Sequence, residues 1–269
     1  MTWPIVVDSR WLEDHLHDGD LSIVDVRPPQ FYGQGHVPGA VNLPIFLLSG
    51  PGGRPPETAA LGARLSAAGV GVHHHVVAYD DGGSPSAAVL VYLLQYYRHE
   101  RVSLLDGGIT RWAHEGRQLE YRPSQRAPER YVPGEPDDAL WTRMEGVRRA
   151  IDEEDAVLLD VRSPAEYLGL QVTAHRDGHV PGAVNVEWSN NLAEEGDGLP
   201  ILRPDEELRR IYEGAGVTPD KRVIVYCQAG TRTAETFVAL KKLGYPRVSV
   251  YLPGWQEWGN RPDTPVDAA

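Results

Sequence analysis

Cysteine is nearly missing from this chain of 269 residues, which contains only Cys227. An intramolecular disulfide is therefore impossible, and a structural zinc site built on several thiolates is excluded. Basic residues are in deficit, with 26 Lys and Arg against 38 Asp and Glu, a net charge of −12. That balance argues against a nucleic-acid or anionic-membrane surface, both of which need clustered cations. No run approaches the roughly 18 apolar residues of a membrane span. The opening MTWPIVVDSRW lacks the basic and apolar regions of a signal peptide, so the expectation is a cytoplasmic protein. What remains is an ordinary globular composition, 41% hydrophobic and 24% charged, with 28 Gly and 22 Pro pointing to many turns.

The sequence repeats itself once. GHVPGAVN occurs at 35–42 and again, letter for letter, at 178–185. Each copy follows a DVR, at Asp25 to Arg27 and at Asp160 to Arg162, and the second copy carries eight extra residues between the two motifs. Weaker matches continue downstream. VVAYD at 76–80 lies opposite VIVYC at 223–227, RVS recurs at 101–103 and 247–249, and Trp112 pairs with Trp258. The expected organisation is one domain over 1–120, a Pro-rich and charged linker over 121–138, and a second domain over 139–269.

Within each half, short Val, Ile and Leu runs alternate with helical patterns. Ser22 to Val26, Val76 to Tyr79, Val102 to Leu105, Val157 to Val161, Val223 to Tyr226 and Val248 to Leu252 read as strands. Pro204 to Glu213 and Ala234 to Leu243 carry apolar residues at helical spacing. Such alternation predicts βαβ units, hence two α/β domains, each a mainly parallel sheet flanked by helices.

In an open parallel sheet the chemistry lies beyond the carboxyl ends of the strands. Cys227 stands there, at the end of VIVYC, and is followed by the loop QAGTRT that leads into a helix. Backbone N–H groups of a tight loop and a helix N-terminus favour a thiolate over a thiol, and Gly230 lets the loop curl. A buried, inert cysteine is the competing reading.

At these residues the chain resembles the two-domain rhodaneses, the thiosulfate sulfurtransferase family. The resemblance rests on DVR followed by EY at Asp160 to Tyr167, on GHVPGAVN, on the loop CQAGTRT at Cys227 to Thr233, and on the ending PGWQEWGNRPDTPV. It covers both repeats. It implies tandem rhodanese-like domains of which only the second has the nucleophile, in keeping with Asp80 standing opposite Cys227. It further implies sulfur transfer from thiosulfate to cyanide or a thiol through a persulfide on Cys227, with no cofactor and no metal. Gln228, Ala229, Gly230, Thr231, Arg232 and Thr233 are then the expected substrate-binding residues. Arg232, the only cation in the loop, is the expected partner of a small anionic donor.

The loop departs from common members in two ways. Gln228 and Ala229 are neutral where many thiosulfate-using relatives are basic, and Glu166 stands where some carry Arg. Equally, the Gly-Ser pair typical of mercaptopyruvate-using relatives is absent. Arg176, in the eight-residue insertion, is a further cation.

Asp160 and Arg162 are expected to support the crevice through a local ion pair, as are Asp25 and Arg27. His36 and His179, identical in both repeats, call for a shared structural task. His73, His74 and His75 suggest a solvated turn, because adjacent strand residues point to opposite faces and do not converge on one ion. A cysteine phosphatase needs C-x5-R, whereas Cys227 and Arg232 enclose four residues. A 3-mercaptopyruvate sulfurtransferase and a non-catalytic persulfide carrier remain as alternatives.

Overall fold

Short, strongly apolar runs form strands buried on both faces, which is the signature of a covered parallel sheet. The computed structural model describes residues 3–48, 50, 53–83, 85–196 and 198–268. Its first sheet contains β1 (Val6–Val7), β2 (Leu21–Asp25), β3 (Val41–Asn42), β4 (His75–Tyr79) and β5 (Val102–Leu105), in the order β1-β5-β4-β2-β3. Its second contains β6 (Ala156–Asp160), β7 (Val184–Asn185), β10 (Arg222–Tyr226) and β11 (Val248–Tyr251), in the order β11-β10-β6-β7. All pairings in both sheets are parallel. β8 (Leu192–Glu195) and β9 (Leu199–Leu202) form a separate two-stranded sheet.

Among the described residues five α-helices accompany each sheet in the same sequence. In the first repeat they are α1 (Ser9–His15), α2 (Pro29–Tyr32), α3 (Thr58–Ala67), α4 (Ser86–Tyr96) and α5 (Gly108–His114). In the second they are α6 (Met144–Ala150), α7 (Pro164–Tyr167), α8 (Asp205–Gly214), α9 (Thr231–Lys242) and α10 (Gly254–Trp258). Alternate strand residues go to opposite faces. Ile23, Val77 and Tyr79 thus pack with Leu12 of α1 and with Ile109 and Trp112 of α5. The intervening Val24, Val76 and Ala78 are fully buried, and α4 lies against β4 and β5. The second repeat copies this, with Leu158, Ile224 and Tyr226 against Val147 of α6 and Trp255 and Trp258 of α10.

The chain forms two compact units, one of Met1–Pro51, Pro55–Asp137 and Ala193–Leu202, the other of Gly52–Arg54, Asp138–Leu192 and Arg203–Ala269. Residues 121–137 contain no helix or strand, yet they pack along the first unit. Tyr131 is buried there and bonds His99 at 3.0 Å, and Arg126 donates to Ser22.

Two sequence expectations shift. α9 starts at Thr231, three residues earlier than the apolar pattern suggested, because Gly230 at φ 89° turns the chain straight into the helix. Thr231, Arg232 and Thr233 therefore occupy its first turn. His75 is not part of a solvated turn: it opens β4, is buried, and bonds Ser103 at 2.7 Å, and burial pushes its imidazole down to about 4.

The duplicated motifs build one device twice. Arg162 gives Nε and Nη2 to the Asp160 carboxylate, with Nη2 at 2.6 Å, and gives Nη2 also to the Gly178 carbonyl at 2.8 Å. Arg27 does the same with Asp25 at 2.6 Å and Gly35 at 2.8 Å. Asn185 and Asn42 each donate to the two carbonyls of their own Asp and Arg. His179 stacks on Tyr167 and His36 on Tyr32, at 3.7 and 3.9 Å between rings. Because all of this occurs in both repeats, it serves the fold. Asp160 and Arg162 are fully buried, and removing one member of such a pair strands the other charge. Arg162→Met should therefore destabilise the second unit by about 3–5 kcal/mol in urea unfolding. A loss below about 1 kcal/mol, the scale of an exposed pair, would contradict this account.

Candidate active site

The register that pairs Tyr226 with Asp160 sets the ends of β10 and β6 side by side, so the segments following them meet. Cys227 is the first residue beyond β10 and is only 1% exposed. Its Sγ accepts the N–H of Gly230 at 3.1 Å, one residue before α9. The loop backbone is fastened from outside: Trp255 N–H donates to the Cys227 carbonyl at 2.8 Å and Gln256 N–H to the Gln228 carbonyl at 2.9 Å. This approach requires glycine at 254, where φ is 54° and a Cβ would lie 2.2 Å from the Cys227 oxygen. These two loop carbonyls are thus engaged, and the N–H that the loop gives to the sulfur is that of Gly230.

The side chains expected at the site have separate surroundings. Gln228 points its amide to Thr173, accepting from the hydroxyl at 2.8 Å and donating to the carbonyl at 2.9 Å. Ala229 and Thr231 are exposed, and Thr233 is fully buried with no partner for its hydroxyl among the described residues. Arg232 is not free. Its Nη1 and Nη2 grip the two carboxylate oxygens of Glu166 at 2.6 and 2.9 Å. Those bonds hold the guanidinium above the usual arginine range, and the neighbouring Cys227 sulfur adds to the effect. Glu166 is 7% exposed and also accepts the N–H and hydroxyl of Ser163, closing a capping box on α7. Arg176 is spent as well, on the carbonyls of Thr264 and Trp258 at 2.6 and 3.0 Å. Asp160 ends β6 and is fully buried with Arg162, whose guanidinium is 4.5 Å from the Trp255 ring.

Glu166 was missed as a site residue. The available signal was topological: neighbouring strands ending together bring the turn after β6 to the loop after β10.

The first repeat shows what the same scaffold does without sulfur. Ile109 N–H donates to the Asp80 carbonyl at 2.9 Å, as Trp255 does to Cys227. The Asp80 carboxylate then takes N–H groups for itself, from Gly82 at 2.7 Å and from Ala87 in α4 at 2.8 Å.

A Rhodanese-like domain model matches residues 8–115 and again 144–261. The chain belongs to the rhodanese family of sulfurtransferases. It is 34% identical to a thiosulfate sulfurtransferase of Pseudomonas aeruginosa, over 98% of this chain and 97% of that one. It is equally 34% identical to a 3-mercaptopyruvate sulfurtransferase of Escherichia coli, over 99% and 98% of the two rhodanese chains. Among solved structures, the anaerobic ergothioneine biosynthesis enzyme from Chlorobium limicola superposes with a TM-score of 0.87 at 26% identity, covering 99% of this rhodanese and 70% of that chain.

Burial pushes Asp80 up to about 6, against the lowering effect of its N–H donors. The folded first unit thus holds this proton more tightly than the unfolded chain does. The stabilising contribution is complete below pH about 4 and is lost as pH rises through about 6, a difference of about 3 kcal/mol. Asp80→Asn should remove that decline from the unfolding free energy measured between pH 4 and 7.5. An unchanged slope in the variant would refute the assignment.

Proposed function

We propose that this rhodanese transfers the sulfane sulfur of thiosulfate to cyanide or a thiol through a persulfide on Cys227. The observation that carries the reading is the Cys227 sulfur itself, at the carboxyl end of β10 and bonded to the Gly230 N–H at the mouth of α9. In this proposal residues 139–269 form the catalytic domain, and the repeat within 1–120, with Asp80 in place of the nucleophile, has no sulfur chemistry of its own.

The thiolate attacks the outer sulfur of thiosulfate. A new S–S bond forms on Cys227, the original S–S bond breaks, and its electron pair leaves with sulfite. Cyanide or an acceptor thiolate next attacks the terminal persulfide sulfur, and the Cys227 thiolate departs with the electrons of the bond it loses. No external oxidant or reductant enters. N–H groups of residues 228–233 stabilise the anionic sulfur in each state, acting before any charge has moved and so at no cost of reorganisation. Thr231 and Thr233 are available hydroxyl donors in the same turn.

A second reading, with 3-mercaptopyruvate as donor, is favoured by the pairing of Arg232 with Glu166, which leaves no free guanidinium in the loop for a dianion. Mercaptopyruvate carries a single carboxylate charge and asks less of the site.

Incubation with thiosulfate should add one sulfur to Cys227, detectable by mass spectrometry and removed by cyanide, with ping-pong kinetics. Cys227→Ser should abolish turnover. Rates on thiosulfate and mercaptopyruvate with cyanide as acceptor choose the donor, and full activity in Cys227→Ser would sink both readings.

A further inference from the structure

An arginine beside a reactive sulfur invites the role of anion receptor, but this one already has its anion. Arg232 and Glu166 meet through two bonds in the fork geometry that guanidinium and carboxylate share. Glu166 is fixed independently by the capping box at the start of α7, so the carboxylate is built into the scaffold rather than drawn in by the arginine. No other residue of the loop from Cys227 to Thr233 bears a formal charge, and Arg176 is engaged at the carboxyl-terminal segment. An incoming donor therefore meets a neutral pair and backbone N–H groups.

We propose that Glu166 is a specificity-determining residue, which cancels Arg232 and so lowers the advantage of a dianionic donor over donors of lower charge. The proposal rests on Cys227 as the sulfur acceptor and deepens that reading by assigning the charge selectivity of its site. Glu166 does not touch the reacting atoms in this account; it acts through Arg232.

Three variants separate this role from a structural one. Glu166→Gln keeps an oxygen for the Ser163 N–H, so the helix cap persists while the negative charge goes. It should raise kcat/KM for thiosulfate by about threefold to tenfold, raise it less for mercaptopyruvate, and make the thiosulfate value fall more steeply with added salt. Arg232→Gln strands a buried carboxylate near the sulfur and should lower kcat/KM for both anions by about tenfold or more. The double variant should recover most of that loss, because neither charge is then left alone.

Alkylation of Cys227 provides a readout that needs no sulfur donor. The ratio of its rates with iodoacetate, an anion, and iodoacetamide, a neutral analogue, reports the local charge. That ratio should rise in Glu166→Gln and fall in Arg232→Gln. If Glu166→Gln lowers thiosulfate turnover and leaves the ratio and the salt dependence unchanged, Glu166 is merely structural and the proposal is wrong. If the double variant stays as poor as Arg232→Gln, Arg232 itself holds the donor and the proposal is equally wrong. Absence of a cyanide-labile sulfur on the wild-type protein would instead overturn the persulfide reading, while the alkylation ratios still decide the charge assignment.

Discussion

A carboxylate and a guanidinium withdrawn from water must find each other, or the fold loses several kcal/mol. Asp160 and Arg162 meet that demand two residues apart, and in doing so they tie the end of β6 to the Gly178 carbonyl at the start of GHVPGAVN. The GHVPGAVN segment answers with Asn185, whose amide closes over the carbonyls of the same Asp and Arg. Strand end, turn and returning segment are thus one hydrogen-bonded block. β10 runs beside that block in fixed register, and the loop that carries Cys227 inherits its position from it.

The two repeats use this support differently. Where the residue after the central strand is Asp80, the chain supplies its own carboxylate to the N–H groups of Gly82 and Ala87. Where it is Cys227, the sulfur engages the Gly230 N–H. The two loops, DDGGSPS at 80–86 and CQAGTRT at 227–233, differ at six of seven positions, and each leads from a buried parallel strand into a helix.

Much of this was legible in the residues. Repeated DVR and GHVPGAVN motifs gave away the duplication, and runs such as VIVYC marked the parallel strands, because strands buried on both faces must be almost wholly apolar. The lone cysteine marked the end of one such strand and the loop that leads into α9. Other features lay beyond sequence reasoning. The start of α9 was read from its apolar face, which begins after the first turn, whereas the helix itself begins at the left-handed Gly230. Arg232 looked free because its partner, Glu166, lies 66 positions away, and a pairing across two strand ends has no local periodicity to reveal it. The buried His75 was hidden inside a run of three polar letters, of which the last already belongs to the strand.

The burial of Cys227, in a chain with no second thiol, bears on the lifetime of the proposed persulfide. Many thiol enzymes release an oxidised cysteine by closing a disulfide with a resolving partner in the same molecule. Under the proposed mechanism that exit is closed, so a persulfide on Cys227 would wait for a visitor small or slender enough to reach it. On that proposal each molecule would be a one-atom reservoir whose emptying is timed by the acceptor, not by the protein's own chemistry.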